Sequence, residues 1–317
     1  MKKILRDIKH GIKNVFDKRI VVKTLSLEMW GGGQTGAEVI LLLLAHSLEK
    51  GMGIPSPRKK FGLGKATALL NELEAYVVNG GNIYRYAFSE SVGILDAYFK
   101  YTDNDISEYT GRINALKKLR VEKYEAGIKK INNIQELYRQ VNIEQVKKFI
   151  CTRHSIRSYE QEIINEDLLN KILELASYAP SACNRQPVKV YWASEINIIN
   201  KISELIPGNT GFENEIPNWA IITTDRNMFG AGETLQWYIN GGIYLAYFVE
   251  ALHAYHIGSC IFQIPATHKN TTELRRTMKI PKQEAIIAAV GFGYPKNENK
   301  VLVASRRPIR ETKIKCE

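Results

Sequence analysis

Cysteine is scarce in this chain: four in 317 residues, at positions 151, 183, 260 and 316, with no CxxC pair among them. That spacing excludes a disulfide framework and a cysteine zinc site, and it is the usage of a reducing cytoplasm. Long apolar runs are missing as well. The run at residues 39–45 is too short to span a bilayer, and the apolar stretch at 238–257 is broken by Asn240, Glu250, His253 and His256. A buried or dimer-forming helix is the reading that fits the latter. Residues 1–22 carry charge throughout, so they do not read as a secretory signal. Acidic residues are too few to balance the basic ones: the formal charge is +11, with 23 Lys/Arg against 15 Asp/Glu over residues 1–143 and 21 against 18 over residues 144–317. No nucleic-acid motif and no basic stripe studded with aromatics accompanies that excess, so no nucleic-acid partner is expected.

A phosphate loop is absent too, although Gly31-Gly32-Gly33-Gln34-Thr35-Gly36 satisfies G-x-G-x-x-G between a strand-like and a helix-like run. A dinucleotide site needs an acidic residue about 20 positions further on. That region is Pro55-Ser56-Pro57-Arg58-Lys59-Lys60, and Ala37-Glu38 stands where a Walker loop needs Lys and Ser/Thr. A plain glycine loop is the better reading. His253 and His256 form H-x-x-H without an evident third ligand, so they read as helix histidines and no metal site is assigned. His46 reads as a helix-end residue.

Two regions are present. Residues 1–143 read as mostly helical. Ile4, Leu5, Ile8, Ile12, Val15 and Phe16 recur at helical spacing with lysines and arginine opposite, which suits an ordinary packed helix or a weak peripheral contact with an anionic membrane surface. Breaks are expected at residues 51–64 and 79–82, and one or two surface helices over 109–140. From residue 144 on, helices and strands alternate. Asn165 should cap a helix carrying Leu168, Leu169, Ile172, Leu173 and Leu175 on its apolar face, with Pro180 beyond its end. Strands are expected near 188–192, 219–224, 258–262 and 285–291, and helices near Glu195, Thr234 and Thr271. The plan is α+β, a central sheet flanked by helices.

The chemistry-bearing stretches lie in this second region. Arg153-His154-Ser155-Ile156-Arg157 places two guanidiniums and a hydroxyl within five residues, a set that grips phosphate or is simply solvated surface. Pro180-Ser181-Ala182-Cys183-Asn184-Arg185-Gln186-Pro187 joins a helix to a strand with small residues that allow close approach to a flat ring, and with two amides to address its edge. No partnered His/Asp pattern makes Cys183 a nucleophile, so it reads as a small packing residue.

These stretches, with Ile257-Gly258-Ser259-Cys260, Gly293-Tyr294-Pro295 and Arg306-Arg307-Pro308, resemble the motifs of the nitroreductase family in the family's order. The resemblance spans residues 144–312. It departs from the family at Val188, where many members have Trp, and at Ile261-Phe262-Gln263-Ile264-Pro265, where glycines are common. It implies a nitroreductase-like mixed or antiparallel sheet and an FMN-binding domain over 144–317, behind an N-terminal region of unknown role. It further implies a homodimer with FMN at the interface, and ping-pong hydride transfer from NADH or NADPH through flavin N5 to an electron-poor small-molecule acceptor. Arg153, His154 and Ser155 are implied at the phosphate and ribityl chain, Arg157 near N1 and O2, and Arg306 and Arg307 completing the phosphate grip. Pro180, Ser181, Ala182, Asn184 and Gln186 are implied against the ring from the opposite subunit, with a backbone N–H of Gln263 or Ile264 near N5. Alternatives are a dedicated biosynthetic flavin oxidase or reductase, and an idle flavin-binding scaffold that recruits a membrane or protein partner.

Overall fold

The computed structural model describes residues 34–58, 60–230, 232–265 and 267–316. The expected amphipathic helix at 1–22, the strand-like run at 20–27 and the first half of the glycine loop at 31–36 lie outside them.

Four helices form the N-terminal layer: α1 (Gln34–Gly53), α2 (Leu63–Val78), α3 (Tyr86–Tyr101) and α4 (Thr110–Leu119). They share a core of Leu41, Leu48, Leu69, Leu73, Phe88, Leu95 and Tyr98, with leucines at helical spacing that put one face of each helix out of water. The buried Glu38 of α1 accepts from the Arg85 guanidinium at 3.1 Å and pins the approach to α3. His46 lies well inside α1 rather than at its end, 3.7 Å from the Glu49 carboxylate. The stretch over 109–140, expected as one or two surface helices, holds two with a gap between them. After α4 the chain is irregular until the short α5 (Ile134–Arg139), and α6 (Ile143–Thr152) follows.

Beyond α6, helix α7 (Glu166–Ala176) is capped as its sequence predicts: Asn165 Oδ1 accepts from Leu168 N at 2.8 Å, with Glu166 and Asp167 in the first turn. Leu169, Ile172 and Ala176 are buried, whereas Leu175 is exposed. The sheet contains β1 (Val188–Ala193), β2 (Asn218–Asp225), β3 (Gly258–Phe262) and β4 (Glu284–Gly293) in the order β1-β2-β4-β3, and all three pairings are antiparallel. Both central strands are buried nearly throughout, because helices cover both faces. Helix α7 and the long α9 (Gln236–Ala254) pack on one side, α8 (Ile196–Leu205) and α10 (His268–Thr277) on the other. The architecture is α+β. A further cluster joins Val39, Leu42 and Ala87 of the helical layer to Met228, Phe229, Trp237 and Ala285 of the sheet region.

One buried acid marks the end of the sheet. Glu284 is fully buried, and accepts from Lys189 Nζ at 2.6 Å, Tyr191 Oη at 2.9 Å and Thr223 Oγ1 at 2.6 Å. A buried carboxylate is tolerated because each of its oxygens meets a donor. Glu284→Ala should lower stability by about 2–3 kcal/mol, since it strands the buried threonine while the half-exposed lysine can return to water. Urea denaturation monitored by tryptophan fluorescence checks this.

Candidate functional site

The loop 180–187 is built on left-handed backbone. Cys183, Asn184 and Gln186 have φ of 52°, 51° and 51°, a region that costs a side-chain-bearing residue about 1–2 kcal/mol and that asparagine tolerates best. Local bonds hold the turn: Gln186 N donates to Ser181 Oγ at 3.0 Å and Asn184 N to Ser181 O at 3.0 Å. Ala182 N donates to Asn240 Oδ1 of α9 at 2.8 Å. Arg185, to which the sequence reading gave no role, carries the loop. Its side chain is fully buried. It donates to Ala182 O at 3.0 Å and Met228 O at 2.6 Å, pairs in fork geometry with the Glu233 carboxylate, and lies 4.8 Å from the centre of the Phe229 ring. With the guanidinium satisfied inside, Asn184 and Gln186 are left pointing outward and exposed. Ser181, Gln186, Pro187, Asn240 and Tyr244 line a hollow of about 150 Å³ beside them.

The segment 153–157 lies at the far end of α9. Ile156 N donates to Ser259 O at 3.0 Å and Ser155 bridges Ser259, so the segment extends the edge of the sheet beside β3. Gly258 permits this approach, because a Cβ there would meet Ile156 at 2.9 Å. The buried Tyr159 hydroxyl donates to Ile156 O at 2.5 Å and holds the turn from beneath. Arg153 Nε lies 3.8 Å from Glu250 Oε1, so a carboxylate already shares its charge. Arg157 is different: it is half-buried, donates to Ser155 O at 3.4 Å, packs over the Phe212 ring, and is paired with no carboxylate among the described residues. His154 lines the adjoining hollow with Arg153, His253 and Ser259. His253 ties α6 to α9, through Thr152 Oγ1 at 3.1 Å and the Phe149 ring at 5.0 Å.

The remaining residues named from sequence are not drawn to either place. Gln263 is exposed just past β3, and Ile264 packs against the core on the α8 side of the sheet. Arg306 donates to Ala304 O and Arg307 Nε lies 3.7 Å from Glu311 Oε2, on a tail whose described residues are exposed from residue 300 onward. No hydrogen bond, ion pair or ring contact joins that tail's arginines to Arg153 or Arg157 among the described residues. Within one chain the site is therefore in two parts at opposite ends of α9. From Asn240, which holds the loop, to Glu250, which meets Arg153, the helix advances about 15 Å.

Four residues that hold these parts were not marked by sequence reasoning: Arg185, Glu233, Asn240 and Tyr86. A lone Arg inside a small-residue loop is the only local signal, and it does not reveal the pairing with a Glu 48 residues further on.

Residues 150–210 match the model of the nitroreductase family. An Archaeoglobus fulgidus protein named as a candidate NADH dehydrogenase/NAD(P)H nitroreductase is 28% identical over 167 residues, which is 52% of this chain and 94% of that one. The FMN reductase [NAD(P)H] of Bacillus subtilis is 25% identical over 169 residues, 48% of this chain and 67% of that one. Among solved structures, an FMN-dependent nitroreductase of Clostridium difficile R20291 aligns with a TM-score of 0.46 at 20% identity, covering 53% of this chain and 98% of that one. Residues 150–210 carry the match to the nitroreductase family, and the similarity to these relatives spans about half of the chain.

The Arg185–Glu233 pair is the testable anchor of the loop. Arg185→Lys should destabilise the protein by about 3 kcal/mol, because a single ammonium cannot serve two carbonyls and a carboxylate in a dry site. Calorimetry reads the loss. Hydrogen bonding from Arg185 holds the Glu233 carboxyl below its usual range. A depressed acid stabilises the fold above its unfolded pKa and loses that contribution as pH falls through the folded one. Acidification below about pH 4 should therefore loosen the loop, and Glu233→Gln should flatten that part of the pH profile.

Proposed function

We propose that the chain is an FMN-dependent NAD(P)H oxidoreductase of nitroreductase type that reduces an electron-poor small molecule. The observation that carries this reading is Arg157, a half-buried guanidinium with no carboxylate partner, set beside a segment that also offers Ser155 and the sheet-edge backbone. Burying a cation without a counter-charge is costly unless an anion is to be received there. The second support is the loop, where small residues and the exposed Gln186 amide line a hollow with the Asn184 amide beside them, a surface that suits a flat polar ring. The residues present thus fit FMN, whose bound chemistry would be two-electron storage, hydride in from NADH or NADPH and hydride out to the acceptor.

In this reading Arg157 stabilises negative charge at the ring edge. Arg153, His154 and Ser155 hold the phosphate and ribityl chain with help from Arg306 and Arg307. Pro180, Ser181, Ala182, Asn184 and Gln186 face the ring, and Gln263 or Ile264 supplies a backbone N–H. The two parts of the site come from two subunits. On α9 an uncharged exposed face runs through Tyr238, Ile239, Gly242 and Tyr247. Two such helices packed antiparallel about a two-fold axis would bring the loop end of one against the Arg157 end of the other. The division near residue 143 belongs to this reading: the FMN domain follows it, and the helical layer precedes it.

A second reading, reaction with one dedicated substrate, is favoured by the contact of Tyr86 with Asn184, which lets the helical layer overlook the ring-facing loop. A panel of nitroaromatics, quinones and enones separates the two by breadth of turnover.

The purified protein should be yellow, and NADH or NADPH should bleach its flavin bands under anaerobic conditions. Colourless protein that stays colourless with excess FMN would sink the proposal, while bleaching by dithionite alone would favour an idle scaffold. Arg157→Ala should weaken FMN binding about ten- to a hundredfold, the worth of a charged hydrogen bond, read by flavin fluorescence titration. Gly242 has open space where a Cβ would stand, so Gly242→Glu should leave the circular dichroism spectrum intact and shift sedimentation velocity from a dimer to the 36.0 kDa monomer.

A further inference from the structure

The two amides at the tip of the loop are tied to the helical layer rather than left to turn in water. Asn184 Nδ2 donates to the Tyr86 hydroxyl at 3.1 Å, and Gln186 Nε2 donates to Asn184 Oδ1 at 3.3 Å. Tyr86 is the first residue of α3, and Glu90 stands one turn along the same helix. Glu90 is buried, with Glu49 and Arg120 as its charged neighbours. The Tyr86 ring is fixed from the side by Tyr124, at 5.3 Å between centroids.

The direction of donation in this chain is set by its two bonds. The Tyr86 hydroxyl accepts from the Asn184 amide N–H, and the Asn184 carbonyl accepts from the Gln186 N–H. Asn184 must then turn its NH₂ toward Tyr86 and its carbonyl toward Gln186. Gln186 in turn must aim its NH₂ inward, which leaves its Oε1 as the outward group. Bonds aligned in one direction polarise one another and strengthen the arrangement. An isolated Gln on a loop would present donor or acceptor with equal ease; this one presents an acceptor.

We propose that Tyr86, from the N-terminal helical layer, is a positioning residue that fixes the Asn184 and Gln186 amides so that the loop offers a carbonyl oxygen to a ligand N–H. The inference rests on the flavin reading above, in which these amides face the ring. A flavin carries a single ring N–H, at N3, flanked by two carbonyls. An amide of the wrong orientation would meet it donor to donor, so the orientation decides whether that edge is gripped or repelled.

The test compares FMN with 3-methyl-FMN, which lacks the N3 proton, on the full-length protein. Wild-type protein should bind FMN about tenfold more tightly, the net value of one well-placed hydrogen bond. Tyr86→Phe should reduce that preference to about twofold or less, because the Gln186 amide can then turn either way. A merely structural loss at Tyr86 would weaken both ligands alike and leave the ratio unchanged, which would overturn the proposal. Asn184→Gly removes the acceptor that orients Gln186, suits the left-handed backbone at this position, and leaves Tyr86 in place. It should also erase the preference, and it serves if Tyr86→Phe does not fold. Wild-type protein that binds neither flavin would sink the flavin reading and this inference together. Binding with an unaltered ratio in a folded variant would sink this inference alone.

Discussion

The buried guanidinium of Arg185 is the constraint on which the rest of the site depends. It lies where the loop 180–187, the turn at 226–228 and the approach to α9 meet, and it bonds to all three. Three left-handed residues in four positions are an unfavourable turn by themselves. The turn persists because the guanidinium in its middle has no solvent to fall back on. Only this backbone path lets it reach two carbonyls and the Glu233 carboxylate at once. The same path throws Asn184 and Gln186 outward. The feature that presents the amides and the feature that holds the loop are therefore one interaction.

A second constraint comes from the length of α9. One helix supports both parts of the site, the loop through Asn240 and the basic segment through Glu250 and His253, and a rigid helix cannot bring its own ends together. In the flavin reading proposed above, completing the site then falls to another copy. The uncharged exposed face of α9 and the apolar face of α6, where Ile143 and Ile150 stand in solvent, are the surfaces such a pairing would cover. The helical layer adds a third party. It is joined to the sheet region by its own hydrophobic cluster, and it meets the loop through Tyr86. A region that looked separate in sequence thus bears directly on the site.

Much of the fold was legible because its signals are local. The four strands showed as β-branched and apolar runs between turn residues, and the cap at Asn165 as a polar residue before an apolar period. The breaks near residues 51–64 and 79–82 showed as glycine and proline clusters. Where local signals are weak, the reading was coarser. The Lys- and Glu-rich stretch after Leu119 has helical composition but buries few side chains, and propensity without an apolar face does not sustain a helix. Leu175 belongs to the period of α7, yet lies beyond the edge of the surface that helix covers. His46 was placed at a helix end because Gly51 and Gly53 follow closely, but α1 runs through both.

Sequence alone determined which residue types are on offer: a basic segment, a small-residue loop with two amides, a second basic cluster, and their order along the chain. Those are short-range facts, carried by neighbours in the polypeptide. Which of these groups are free and which are already engaged was decided only in three dimensions. Arg185 turned inward to Glu233, Arg153 came to share its charge with Glu250, Arg157 kept its charge unshared, and Tyr86 took hold of Asn184 from 98 residues away. Charge and hydrogen-bonding capacity are properties of a side chain, but their availability depends on partners that the packing of distant segments supplies.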